Sequence, residues 1–546
     1  MERRRKEAWY KRPMKNTASL VSSLALGALA TTAAVTTSYA AEPAAAPPPS
    51  LGELCHIDMK GDKKDEWIRM PKPESSVTQH HFSAGGKSFD YTATAGTLIL
   101  RDDEDKPIAS MGYVAYTKAG VKDAGTRPVM FAFNGGPGSS SLWLHMGVLG
   151  PRRVVVSDPT PTPPAPYHTV ENDSGVLDKS DLVMIDPVGT GISHAVCEHK
   201  DAEFWSVDPD IDSIGRFIAQ YVSDNNRWAS PKYLLGESYG TTRGAAIVDY
   251  LRARRNLTFN GLVLISVATD IEQIFAELPG NDRPYAVYLP GYAAVAWYHH
   301  ALPNQPPALE PFLDEVRHYA SGPFAAALAK GDALTDAERE AVAEKVHEYT
   351  GLSIEYLKYA NLRVAEIAFA HELLKSQRKT IGRLDGRFAG ATLDSLSKYA
   401  EYDPQSAAIS AAYTAAFLDY YHGDLKFGQG VTYNTTNYSI GEKWKWTHRP
   451  IGADGEQPAV NSGVDLAQAL VQDANLKVLV LNGYYDLATP FSATEYMMAH
   501  LGVPPSASAR IQMKYYEAGH MMYVNPPSLK KMKGDLDAFI DSTSRQ

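Results

Sequence analysis

Gly236-Glu237-Ser238-Tyr239-Gly240 stands between the apolar run Tyr233-Leu234-Leu235 and the helix-like stretch Thr242–Arg254. A short buried-type run, a turn of two glycines around a serine, and then a helix form the strand–turn–helix context of a nucleophile elbow. The outer glycines let the chain turn tightly without Cβ clashes and leave the Ser238 hydroxyl exposed at the strand end. The pentapeptide alone is a weak signal; its place between strand and helix carries the reading.

Outward from this turn the same strand pattern recurs in Val129–Phe133, Asp181–Ile185, Leu262–Ile265 and Val478–Leu481. Short apolar runs without alternation suit strands buried on both faces, as in a parallel sheet covered by helices. Helix-like stretches such as Ile211–Tyr221 lie between them, so the pattern predicts a doubly wound α/β domain. Phe89–Leu100 and Ile108–Thr117, rich in β-branched and aromatic residues, read as antiparallel entry strands. The sheet signal stops near residue 270 and resumes near 476. Between them Asp336–Thr350 and Ile354–Leu374 read as long helices. The expected organisation is therefore a lead-in over 41–85, a first core part over 86–274, a mainly helical cap inserted over 275–465, and a second core part over 466–546.

A serine hydroxyl is a poor nucleophile until a base takes its proton, so a histidine and an orienting acid are required elsewhere. In such a fold they follow in the order Ser, Asp, His, each in a loop after a late strand. Asp486 closes the loop Asn482-Gly483-Tyr484-Tyr485-Asp486 after Lys477–Leu481. His520 follows Ile511–Tyr516 in Glu517-Ala518-Gly519-His520-Met521. Ser238, Asp486 and His520 are thus the candidate catalytic residues. After Val129–Phe133 comes Asn134-Gly135-Gly136-Pro137-Gly138-Ser139-Ser140. Glycines there allow backbone N–H groups to approach a developing oxyanion, with the Tyr239 N–H as second donor. A phosphate cradle is the competing reading, but no Lys-Ser/Thr follows the glycines and Pro137 removes a donor.

Asn134-Gly135-Gly136-Pro137-Gly138, Asp186-Pro187-Val188-Gly189-Thr190-Gly191-Ile192-Ser193, the Ser238 pentapeptide and Gly519-His520-Met521, in this order, resemble the serine carboxypeptidase family. The likeness spans about residues 86–535, the cap being matched only by its location. It implies an α/β-hydrolase fold and exopeptidase action through a Ser238 acyl-enzyme on peptides with a free C-terminus. Carried over by position, Asn134, Gly135 and Glu237 would bind the substrate's terminal carboxylate, and the Gly136 and Tyr239 N–H groups would form the oxyanion hole. Glu237 must then be protonated, since two carboxylates repel. Four positions depart from the family pattern. Val148 stands where a second glutamate is usual, Phe133 replaces a tryptophan, Ser139 replaces a cysteine, and Leu487-Ala488-Thr489-Pro490 lacks the customary cysteine. The departures fit a secreted bacterial branch, and Val148 keeps open an esterase or acyltransferase acting on small molecules with the same triad.

The chain has 546 residues, 44% hydrophobic and 21% charged, with a formal charge of -10. That is ample for a large core and lacks the basic balance of a nucleic-acid binder. Residues 1–40 read as a signal peptide: Arg3-Arg4-Arg5-Lys6, Lys11, Arg12 and Lys15, an apolar stretch over 18–35, and Ser38-Tyr39-Ala40 before the cleavage point. Secretion, with the periplasm in a Gram-negative host, and no lasting membrane span are expected. A Pro/Ala linker follows over 42–50. Cys55 and Cys197, the only cysteines, pair or stay free with equal plausibility. No cofactor or metal is expected. His80-His81 and His299-His300 read as ordinary surface histidines, and His371-Glu372 lacks the second histidine of a zincin helix. Tyr288, Tyr292, Trp297 and Tyr298 read as core residues first and pocket residues second. Subsite preference, physiological substrate, pH optimum and oligomeric state are beyond the sequence.

Overall fold

The computed structural model describes residues 54–57, 66–274 and 280–544. The expected signal peptide and the Pro/Ala linker lie outside the described residues. From Ser75 onward the chain is organised around a single large sheet. Its strands, in chain order, are β1 (Ser75–Ala84), β2 (Lys87–Arg101), β3 (Pro107–Lys118), β4 (Val129–Phe133), β5 (Asp181–Ile185), β6 (Lys232–Glu237), β7 (Gly261–Ile265), β8 (Lys477–Gly483) and β9 (Ile511–Tyr516). The spatial order is β9-β8-β7-β6-β4-β5-β3-β2-β1, with His194–Ala195 pairing to β3. From β5 to β9 neighbours run parallel; β1, β2 and β3 form the antiparallel edge. The sheet therefore begins ahead of the first strand expected from the sequence.

The apolar runs form central strands because both of their faces are covered. All five residues of β4 are buried. Val129, Phe131 and Phe133 face one apolar cluster, while Met130 and Ala132 face the other. On the first side lie α1 (Val207–Asp224) and α2 (Tyr239–Arg255), with Ile211, Ile214, Phe217, Ile247 and Leu251 turned inward. Each such side chain contributes about 1.5–3 kcal/mol by leaving water.

Between β7 and β8 the described residues add no strand to this sheet. Among its helices are α3 (Arg283–Tyr298), α4 (Asp336–Thr350) and α5 (Pro404–Gly423); a hairpin of Lys379–Ile381 and Ala389–Ala391 lies between the last two. The stretch 354–374, read as one helix, is two: Ile354–Tyr359 and Glu366–Glu372. Asn361 and Leu362 adopt positive φ of 51° and 64° between them, which no α-helix accommodates. α5 and α6 (Pro526–Thr543) both contribute to the second apolar cluster: Tyr413 and Phe417 from one, Met532 and Phe539 from the other. The sulfurs of Cys55 and Cys197 are bonded, closing a separation of 142 residues. In the chain-entropy account such a loop is worth about 5 kcal/mol. Among the described residues no helix is long and apolar enough to cross a membrane.

Candidate active site

In open parallel sheets the ligand crevice lies beyond the C-terminal ends of the strands. The candidate residues lie at those ends, Glu237 as the last residue of β6, Tyr239 as the first of α2 and the others in loops. Ser238 joins β6 to α2 with φ 60° and ψ -129°, a conformation that costs a non-glycine residue about 1–3 kcal/mol and persists only where neighbours impose it. Here the Ser238 N–H donates to the Ile265 carbonyl at 2.9 Å, and the Ser238 carbonyl accepts from the Thr241 N–H and hydroxyl. A Cβ at Gly236 would collide with the Gly240 carbonyl oxygen, so the turn closes only over glycine.

The loop after β4 lies directly on this turn. A Cβ on Gly135 would stand 2.5 Å from the Tyr239 nitrogen. That contact brings the backbone of Gly135 and Gly136 beside the N-terminus of α2, where unpaired N–H groups favour negative charge. Arg243, 1% exposed, holds the two pieces together. Its guanidinium donates to the Asn134 carbonyl at 2.8 Å and to Asp210 at 2.8 Å, and stacks over the Phe133 and Tyr239 rings. No local sequence signal marks Arg243 and Asp210, which are far apart in the chain.

Asp486 is fully buried after β8. Its Oδ1 accepts the N–H groups of Ala488 and Thr489 at 2.7 and 2.9 Å, and its Oδ2 accepts the Thr489 hydroxyl at 2.7 Å. His520 Nδ1 lies 2.8 Å from Asp486 Oδ2. A carboxylate only accepts, so Nδ1 carries the proton and the lone pair of neutral His520 sits on Nε2. Burial alone would lower the His520 pKa, but Asp486 overrides it and the net shift is upward. His520 and Ser238 line one cavity of about 370 Å³ together with Asn134, Gly135, Gly136, Glu237 and Tyr239. No hydrogen bond joins the Ser238 hydroxyl to His520 among the described residues; such bonds are commonly long before substrate binds.

Glu237 is 4% exposed beside Ser238. Its Oε1 accepts from the Asn134 amide at 2.9 Å, and the Asn134 side-chain oxygen accepts the Leu144 N–H, which orients that amide. Its Oε2 is buried and makes no well-aligned hydrogen bond, the Tyr523 hydroxyl being near enough to act on its charge. Burial pushes the Glu237 pKa up to about 7, against the opposing pull of His520, Tyr523 and Asn134. Val148 is wholly buried in the second apolar cluster and brings no charge to this carboxyl.

Elsewhere, no group of three or more His, Cys, Asp or Glu side chains placed to hold a metal occurs among the described residues. His81 pairs with Asp90, and His299 meets the Gly386 carbonyl. Tyr288 and Tyr292 are core residues, while Trp297 and Tyr298 line a separate hollow with Tyr484 and Tyr485. The cavity shared by Ser238 and His520 is walled instead by Trp143, Ile271, Ile274, Ile409 and Met521, with Arg383 also on its lining.

Residues 102–279 match the family model for serine carboxypeptidases. No curated protein sequence is significantly similar to the chain. Among solved structures, the prohormone-processing carboxypeptidase Kex1 from Saccharomyces cerevisiae superposes with a TM-score of 0.50 at 15% identity, covering 83% of this chain and 91% of its own. A proline iminopeptidase from Mycobacterium smegmatis (14% identity, 82% and 98% coverage, TM-score 0.34) and the peroxisomal α/β-hydrolase Lpx1 from Saccharomyces cerevisiae (10%, 87% and 91%, 0.34) are more distant. The chain has the α/β-hydrolase fold, and the part of it that carries the glycine-rich loop after β4 and Ser238 is the part that matches the serine carboxypeptidase family.

Proposed function

We propose that this protein is a serine carboxypeptidase acting outside the cytoplasm, with Ser238, Asp486 and His520 as nucleophile, orienting acid and base. The observation that carries the reading is the buried Glu237 carboxyl, held by Asn134 next to Ser238 in the cavity that also contains His520. The family match over 102–279 supports the same activity.

His520 Nε2 takes the proton as Ser238 Oγ attacks the last peptide carbonyl, and the oxyanion settles on the Gly136 and Tyr239 N–H groups. The C–N bond breaks as His520 returns the proton to the leaving amine. Water then repeats the sequence on the acyl-enzyme and frees Ser238. The substrate's terminal carboxylate accepts from Asn134, the Gly135 N–H and protonated Glu237. With a pKa near 7, Glu237 donates below neutrality and repels the carboxylate above it. His520 must be neutral to act as base, so activity on free acids is confined to a window bounded below by His520 and above by Glu237. Residues 275–465 act as a cap whose Arg383, Leu384, Ile409 and Ser410 complete the pocket. Residues 1–40 direct export and are removed.

Val148 favours a second reading. With no carboxyl partner for Glu237, weaker carboxylate recognition would turn the same triad to esters or acyl transfer. The test is a pH series on an N-blocked dipeptide, its C-terminal amide and an aryl ester, with Ser238→Ala as blank. Preference for the free acid, fading as pH rises through neutrality, is expected. Ester turnover blind to a free carboxylate would overturn the carboxypeptidase reading in favour of the second.

A further inference from the structure

The turn of the inserted hairpin, Arg383 to Arg387, is laced into both loops that carry the acid and the base. The Leu487 N–H donates to the Arg383 carbonyl at 3.0 Å, and the Gly386 N–H donates to the Tyr485 carbonyl at 2.9 Å, so Asp486 is bracketed. The His520 N–H donates to the Leu384 carbonyl at 2.7 Å, and the Gly519 N–H donates to Asp385 Oδ2 at 3.0 Å. Asp385 is fully buried. Its Oδ1 accepts the backbone N–H and the Nε–H of Arg387, each at 3.0 Å, while Oδ2 also accepts from Arg387 Nη2 at 2.6 Å. Arg387 in turn pairs with Asp158 at 2.8 Å. At the other end of the turn, Asp403 Oδ2 accepts the N–H groups of Arg383 and Leu384.

We infer that Asp385 is a positioning residue: through this turn it sets the spacing and orientation of the Asp486 and His520 loops, so the insertion is part of the catalytic frame. The inference rests on the reading of Ser238, Asp486 and His520 as one catalytic set. Two loops that leave different strands need a mutual restraint beyond the Asp486–His520 bond itself, and four hydrogen bonds with one rigid turn supply it. Misplacement of a base by about 1 Å costs on the order of 100-fold in rate.

Asp385→Asn tests this with little change of shape. Both carboxylate oxygens accept from N–H donors, so an amide NH₂ at either place sets donor against donor. Two readouts are compared with the parent in the full mature chain: kcat and KM on an N-blocked dipeptide, and the rate of Ser238 labelling by a fluorophosphonate. The expected result is a fall in kcat and in labelling rate of about 10- to 100-fold with KM changed less than about twofold. Rates within about twofold of the parent, whatever the loss in melting temperature, would overturn it. If D385N does not accumulate folded, Arg387→Lys replaces it. This variant keeps the charge but loses the Nε–H fork, and is expected to slow both rates by about 3- to 10-fold; unchanged rates overturn the inference equally. A parent that labels but cleaves no peptide sinks the carboxypeptidase reading and leaves this comparison standing, whereas a parent that does not label overturns both.

Discussion

Replacing Glu237 with glutamine separates the charge of this side chain from its shape. In the parent, Oε1 accepts from Asn134 and Oε2 makes no well-aligned hydrogen bond, so a glutamine can keep the first contact and place its NH₂ where Oε2 stood. That NH₂ donates to a substrate carboxylate at every pH, whereas Glu237 donates only while protonated. With the Glu237 pKa near 7, about one enzyme molecule in 30 retains the proton at a pH of about 8.5. The assay is kcat/KM for an N-blocked dipeptide with a free carboxylate, and for its amide, from about pH 5 to about pH 9. At the acid end E237Q should match the parent within about threefold; near pH 8.5 it should exceed it by about 30-fold on the free acid alone. Stability moves with the same proton. A carboxyl whose folded pKa is raised by burial costs nothing below its unfolded value of 4.5, and its cost grows until pH passes about 7. E237Q should therefore melt with the parent at acid pH and a few degrees higher in mild alkali. Parallel pH profiles for parent and variant, or loss of free-acid preference by E237Q at about pH 5, would refute the assignment of Glu237 to the carboxylate.

Gly135→Ala should reduce Ser238 labelling by about 100-fold or more, because its Cβ would stand 2.5 Å from the Tyr239 nitrogen and force the oxyanion loop off the elbow. His448 is buried, which alone would lower its pKa, but Asp208 at 2.6 Å and Asp465 at 2.8 Å lift it to about 9. Its contribution to stability is complete below 6.5 and is lost as pH rises through about 9; melting curves of His448→Gln should lack that alkaline decline. Reduction of the Cys55–Cys197 bond, or Cys55→Ser, should lower stability by up to about 5 kcal/mol in denaturant titrations without altering the pH profile of activity.

The strands that form the parallel half of the sheet are legible because each is a short apolar run whose burial does not depend on which neighbour covers it. The elbow is legible for a similar reason: its two glycines and its strand–helix flanks are local. Asp486 and His520 stand out only by rank, as the acid and the histidine after the last two strands. The helix read over 354–374 fails locally, since Asn361 accepts a left-handed backbone readily but Leu362 gives no sign of one. β1 escapes notice because Ser75–Ala84 is an edge strand with much of its length exposed, and its polar residues dilute the alternation.

The class of sheet and the candidate order of nucleophile, acid and base can be read from the amino-acid sequence, and the departure at Val148 can be read only against the family that the chain resembles. That Cys55 meets Cys197, and that Arg243 and Asp210 bind the glycine-rich loop after β4 to α2, emerges only in three dimensions. So does the grip of the turn at residues 383–387 on the loops of Asp486 and His520. The division has a physical cause. Burial and turn preferences are written in neighbouring residues. A hydrogen bond across 134 positions, such as that from Gly519 to Asp385, exists only once the sheet has brought its two ends together.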